Sequence, residues 1–263
     1  MTISVPVLLS LAFAALMTLV FPVVLLLVLC LKHRLPTKSI AVGILAFFVS
    51  QVCLRIPILS ALGGQPWYQA FAKDNTVVYF VILSFTAGLF EETARYIGVR
   101  FFLKDQREYR DAVAFGLGHG FCEAVLLVGV SELGMLVISL TINGGSFDSS
   151  AAAAKQTVDT LLKVTPAIPL MAVWERVSTV MFHLFATVLV FRAVREKKIL
   201  WYFAALGAHT LMDFASSVLV TYTQIWVCEL VIFLLGALGF LYVLKVKPRF
   251  AAADAAGPGR AEG

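Results

Sequence analysis

Seven long apolar runs leave this chain few ways to fold. They cover residues 5–31, 39–62, 76–103, 111–140, 168–193, 199–221 and 224–245. Each is at least as long as the stretch of about 20 mainly apolar residues that crosses a bilayer as a helix. Lipid cannot satisfy backbone N–H and C=O groups, so a run of this length must pair them internally as a helix. Composition agrees: only 14% of the residues are charged and 60% are hydrophobic, whereas a soluble domain carries about 25% charged residues. The expected fold is all-α, a polytopic membrane helix bundle of about seven transmembrane helices. It forms a single transmembrane domain over 1–245, followed by a disordered tail at 246–263.

Loop charges set the expected orientation. The first loop holds Lys32, Arg34 and Lys38, and the second only Lys73. The third holds Lys104, Arg107 and Arg110, and the longer fourth holds Lys155 and Lys163. The fifth region holds Arg192, Arg195, Lys197 and Lys198; the sixth has no basic residue, and the tail starts with Lys245, Lys247 and Arg249. Strongly and weakly basic loops alternate without a break. The positive-inside rule then puts the N-terminus outside and the C-terminus in the cytoplasm. The same distribution argues against a nucleic-acid partner, because the net charge of +5 is spread over topology signals and not over one face.

The first run contains Ala12-Phe13-Ala14, which resembles a signal-peptide cleavage triplet. It lacks a basic n-region and continues to Leu31, beyond an h-region of about 7–15 residues, so it reads as a retained first span. Cys30, Cys53, Cys122 and Cys228 form no C-x-x-C pair and read as small apolar residues within spans. In the fourth loop Asn143-Gly144-Gly145-Ser146 signals a turn, and 150–163 reads as a helix with Val158, Leu161 and Leu162 apolar. It either lies on the membrane surface or covers the outer mouth of the bundle.

Against this apolar background, eight ionisable groups stand out: Glu91, Glu92, Arg95, His119, Glu123, His183, His209 and Asp213. Such groups inside spans are rare, face the bundle interior and mark sites. Their depth is countable. Glu91, Glu92 and Arg95 lie 12, 11 and 8 residues before Leu103. His119 and Glu123 lie 8 and 12 residues after Asp111, and His183 lies 10 before Ala193. His209 and Asp213 lie 10 and 14 after Ile199. At about 1.5 Å per residue, four helices place them in one layer roughly 12–21 Å from the inner face.

Spacing adds chemistry. Arg95 is i+4 from Glu91 and i+3 from Glu92, so it can face either carboxylate. His119 with Glu123, and His209 with Asp213, are i,i+4 pairs: two ligands on one helix face, or an imidazole oriented by a carboxylate. Gly116, Gly118 and Gly120 around His119 permit close helix approach. Gly-Leu-Gly-His-Gly follows no strand and is no nucleotide loop. Each pair also has a plain structural reading as an ion pair or interhelical hydrogen bond. Glu175 with Arg176 is either an interfacial pair or part of the site. Glu132 and Glu229 read as packing or boundary residues, and His33, Arg107, Glu108 and Arg110 as solvated loop charges. Arg55, before Pro57, either snorkels or lines the cavity.

Such a layer can hold Zn2+ with a water in an open position. It can instead use Glu91 or Glu92 as a base on water without any metal. It can also carry protons or ions, as a proton- or ion-coupled membrane transporter would. A non-catalytic scaffold is the remaining reading.

The ordered set Glu91-Glu92-Thr93-Ala94-Arg95, Gly116-Leu117-Gly118-His119-Gly120 with Glu123, Glu175-Arg176 then His183, and His209 with Asp213 resembles the YhfC family of intramembrane metalloproteases. More distantly it is similar to the PrsW proteases and the CAAX prenyl protease and bacteriocin-processing families. Its basic residue comes three after the second Glu, as in the PrsW-like pattern, but is Arg where those tend to have Lys. The resemblance implies a membrane-embedded peptidase with its active site in spans 3 to 6. Glu91 or Glu92 would be the base and Arg95 would set its charge. His119, Glu123, His183 and His209 would be metal ligands or transition-state donors, with Asp213 and Glu175 in support. The expected partners are a membrane protein or peptide substrate and the lipid bilayer, in a bacterial-type cytoplasmic membrane. The orientation is testable with reporter fusions. Alkaline phosphatase joined after Gly144 will be active and one joined after Lys104 inactive; the reverse pattern would overturn the charge assignment.

Overall fold

Because lipid offers the backbone no partners, every apolar run closes its own hydrogen bonds, and the computed structural model is helical throughout. It describes residues 2–148, 150 and 152–255, among which there is no strand. The helices are α1 (Val5–His33), α2 (Thr37–Gly63), α3 (Pro66–Asp74), α4 (Thr76–Phe102), α5 (Tyr109–Asn143), α6 (Ala152–Leu161), α7 (Ala167–Arg195), α8 (Leu200–Tyr222) and α9 (Ile225–Ala255). All but α3 and α6 are long and apolar enough to cross a membrane, so the protein is an integral multi-pass membrane protein. The ends follow local chemistry. Asp111 accepts the Glu108 N–H at 3.0 Å at the start of α5. Asn143-Gly144-Gly145 ends that helix, with Gly145 at φ +70, a conformation glycine adopts without a Cβ penalty.

The last helix continues past Lys245 to Ala255 with Pro248 inside it. The rest of the expected disordered tail, 256–263, lies outside the described residues. Four spans contain widened π-helical turns: Leu16–Val20, Phe48–Arg55, Gly98–Phe102 and Ala124–Gly129.

The chain forms two compact units. The first comprises the described residues up to Leu27 together with Glu123–Val177. Here the first part of α1 packs along the second half of α5. The Asn143 side chain accepts from Ile3 N at 2.6 Å and donates to Ile3 O at 2.8 Å. Leu161 of α6 is buried in one cluster with Ile3, Val7 and Leu11. The fourth-loop helix thus lies across that end of α1 and α5.

The second unit comprises Val28–Cys122 and the described residues from Ser178 on. Its core is built around α7, where Ala186, Val188, Val190 and Phe191 are wholly buried. At the basic end, Arg192 stacks over Trp201 at 3.7 Å and bonds Glu196 and Tyr242, tying α7 to α8 and α9. The third-loop arginines are not simply solvated. Arg107 donates to the carbonyls of Leu103 and Arg100, and Arg110 to those of His33 and Arg34. Large apolar residues such as Leu211, Leu238 and Leu241 are exposed, as a lipid-facing surface requires and a soluble surface would not tolerate. Cys228 is buried while Cys53 is exposed, because an apolar residue of a span can face lipid as readily as the core.

Helices α2 and α5 cross at backbone contact. A Cβ on Gly43 would collide with the Phe115 carbonyl, and one on Gly118 with the Ile40 carbonyl. Small residues serve this purpose in membranes, where packing replaces the hydrophobic drive. Gly43→Ala and Gly118→Ala are each expected to destabilise the protein by about 1–3 kcal/mol through overpacking, read as a lower thermal midpoint in detergent. Gly134→Ala, where an added Cβ meets nothing within 4 Å, is the control and will not lower it. Unchanged midpoints in both test variants would refute the close crossing.

Candidate active site

One helix supplies the centre of the buried polar layer. On α4, Glu91, Glu92 and Arg95 are 5%, 0% and 0% exposed. An ionised group so placed needs partners, since burying charge without them is costly. Arg95 provides them within its own helix. It bonds Glu92 one turn back, and its second guanidinium nitrogen lies 3.3 Å from Glu91 Oε2. That nitrogen also donates to His183 Nδ1 of α7 at 2.7 Å.

Other helices complete the set. His119 of α5 donates from Nε2 to Glu91 Oε2 at 2.9 Å. His209 of α8 donates from Nδ1 to Glu92 Oε1 at 2.7 Å. Its Nε2 lies 3.9 Å from Glu91 Oε1 and 3.7 Å from Asp213 Oδ2. All three histidines are buried. Aromatic rings wall them in: Phe47 edge-on to His119 at 5.3 Å, and Phe182 edge-on to His209 at 5.4 Å and to His183 at 5.9 Å. His119 and His183 have ring centroids 5.0 Å apart, and His183 and His209 6.0 Å.

The predicted residues therefore fall into distinct places. Glu91, His119 and His183 each offer a donor atom within 4.8 Å of the others. Glu92, Arg95 and His209 form the adjoining hydrogen-bonded group. Asp213 stands at its edge with a side chain 38% exposed. Glu123 and Glu175 belong to the first unit, where both bond the same arginine. Arg176 donates to Glu123 Oε1 at 2.6 Å and to Glu175 Oε1 at 2.7 Å. Glu132 and Glu229 are buried elsewhere along their spans.

Two further residues join the second unit's site. Gln51 of α2 donates from Nε2 to Glu91 Oε1 at 2.9 Å, and Arg55 donates to Gln51 Oε1 at 3.3 Å. The signal for Gln51 was present in the sequence as a lone amide within the apolar run 39–62, but a search for ionisable groups passes over it.

The sequence model of the YhfC intramembrane metalloprotease family matches residues 17–232. The chain belongs to this family. Every residue of the buried layer lies inside the match. The chain is also 27% identical, over 237 residues, to a protein of Bacillus subtilis (strain 168) described as "Uncharacterized membrane protein YhfC". That alignment covers 83% of this chain and 88% of the relative. No solved structure matches.

A YhfC metalloprotease implies a divalent metal, and the side chains of the second unit fit one. Two imidazoles and a carboxylate are a donor set that leaves a coordination position open on zinc. A tetrahedral site with bonds of about 2 Å places its donors about 3.3 Å apart; those of Glu91, His119 and His183 lie within 4.8 Å, a gap that small side-chain rotations close. His119 Nδ1 is buried without a hydrogen-bond partner among the described residues, a nitrogen left to bind something else. Two carboxylates against one guanidinium also leave one negative charge for an imidazolium or a metal ion to offset. Metal content of purified protein checks this. His119→Ala and His183→Ala are expected to lose the bound metal, and Glu123→Gln, whose carboxylate is spent on Arg176, to keep it. Retention in both histidine variants would refute the ligand set.

Proposed function

We propose that the chain is a membrane-embedded metallopeptidase that hydrolyses a peptide bond of a membrane protein or peptide within or beside the bilayer. Family membership supports hydrolysis over transport of protons or ions through the same layer. One observation carries the division of roles. Glu92 is wholly buried, with Oε1 held by Arg95 and His209 and Oε2 without a hydrogen-bond partner among the described residues. Glu91, its neighbour, has both oxygens engaged, Oε1 by Gln51 and Oε2 by His119 and Arg95.

In this reading Glu91, His119 and His183 hold the metal, with Zn2+ the ion best suited to the donor set. When bound, it would lower the pKa of a water and polarise the scissile carbonyl. Glu92 Oε2 takes the proton of the attacking water and returns it to the leaving amine nitrogen as the C–N bond breaks, the general acid–base role of a positioned carboxylate. Arg95 offsets the charge of the paired carboxylates and fixes the rotamer of Glu92. His209 holds the spent oxygen of Glu92, so that the other stays available. Asp213, beside His209 Nε2, orients that ring. The loop charges support an external N-terminus and a site slightly toward the cytoplasmic side of a bacterial-type cytoplasmic membrane.

Glu92→Gln preserves shape but cannot take a proton. It is expected to keep its metal and to cleave a membrane peptide about 10²–10⁴-fold more slowly. Glu91→Gln is expected to weaken metal binding as well. Cleavage by Glu92→Gln at the wild-type rate would remove Glu92 from the base role, and a fully active protein stripped of metal would end the metallopeptidase reading.

A further inference from the structure

Glu91 can serve a shared site only if its carboxylate is held with one oxygen presented to the histidines. The side chains that hold it come from α2. Gln51 is 3% exposed and lies in the π-helical turn Phe48–Arg55, a kind of irregularity frequent at functional sites. Its amide donates to Glu91 Oε1 at 2.9 Å. An amide can flip, and the flipped form would turn its carbonyl oxygen toward the carboxylate, where two acceptors repel. Arg55 prevents that. One guanidinium nitrogen donates to Gln51 Oε1 at 3.3 Å and the other to the Leu83 carbonyl at 2.8 Å. Arg55, anchored on α4, fixes the polarity of Gln51, and Gln51 fixes Glu91.

We propose that Gln51 and Arg55 are positioning residues for Glu91, a relay that occupies Oε1 and so leaves Oε2 as the oxygen shared with His119. The inference rests on the reading of Glu91 as a metal ligand. It explains why a glutamine and an arginine stand one helical turn apart within a lipid-spanning run, and it decides between the two readings of Arg55: the guanidinium serves the site and does not snorkel.

The test uses the full chain in detergent, with Gln51→Met, Arg55→Met and the double variant. Zinc affinity is measured by chelator competition, and kcat and KM with a membrane peptide. Gln51→Met is expected to weaken zinc binding by about 10–100-fold, the usual effect of removing a hydrogen-bond partner of a metal ligand, and to lower kcat while KM stays close to the wild-type value. Arg55→Met moves both in the same direction by less. The double variant is no worse than Gln51→Met alone, because residues acting through one contact do not add. Wild-type zinc affinity and kcat in Gln51→Met, or additive effects in the double variant, would overturn the relay. Should Gln51→Met not fold, Arg55→Met decides by the same readouts. If the wild type binds no zinc, it is the metal-centre reading that fails. The relay is then read from the infrared carboxylate bands of Glu91, assigned by Glu91→Gln: a shift in Gln51→Met supports it, and unmoved bands overturn it.

Discussion

Arg95 is wholly buried, and its guanidinium bonds Glu91, Glu92 and His183. The polar arrangement of the second unit follows from satisfying that one cation. A lone charge in an apolar span costs several kcal/mol, at least about 2.5–3.5 on insertion scales, so the guanidinium must meet carboxylates at every moment. Spacing of three and four residues guarantees this within α4 whatever the other helices do. The remaining valence is then exported. Glu91 reaches His119 and Gln51, Glu92 reaches His209, and the guanidinium itself reaches His183. Four neighbouring helices are thereby fixed in register against one turn of α4.

Packing makes that register possible. The backbones of α2 and α5 touch at Gly43 and Gly118, which brings Gln51 and His119 within reach of the same carboxylate. Phe47, Phe115 and Phe182 then close around the imidazoles. Such rings hold histidine rotamers without competing for hydrogen bonds. The imidazole, amide, guanidinium and carboxylate chemistry is concentrated on a few atoms within a largely apolar surround.

Much of this was legible in the sequence. The seven spans follow from the length of each apolar run. Most ends moved by only a few residues, because polar residues such as Tyr109, Arg110 and Asp111 still belong to the first helical turn, while the last helix runs on past Lys245 to Ala255. The meeting of Glu91, Glu92, Arg95, His119, His183 and His209 was legible from counting depth, which needs only a constant rise per residue, whereas Asp213 stands at the edge with an exposed side chain. Pairings were less legible. His119 and Glu123 share a helix face, yet Glu123 bonds Arg176, since spacing reveals a face and not which cation will claim the carboxylate. A largely covered arginine at 176 also calls for acids, and Glu123 and Glu175 meet that need. Gln51 was invisible to a search built on charge, although an amide buried in a bilayer faces the same demand for partners.

The adjacent glutamates show why sequence proximity and chemical equivalence part company. Neighbouring residues on a helix of 3.6 residues per turn point about 100° apart, so Glu91 and Glu92 address different helices even though one arginine reaches both. Glu91 faces α2 and α5, where an amide and an imidazole engage both of its oxygens. Glu92 faces α8, where a single imidazole shares one oxygen with Arg95 and the other is left over. A ligand must be held at both ends, while a base must keep one oxygen free for a proton. On the proposed reading, helix geometry separates two identical side chains into a ligand and a base, and exchanging their surroundings, not their identities, would exchange those roles.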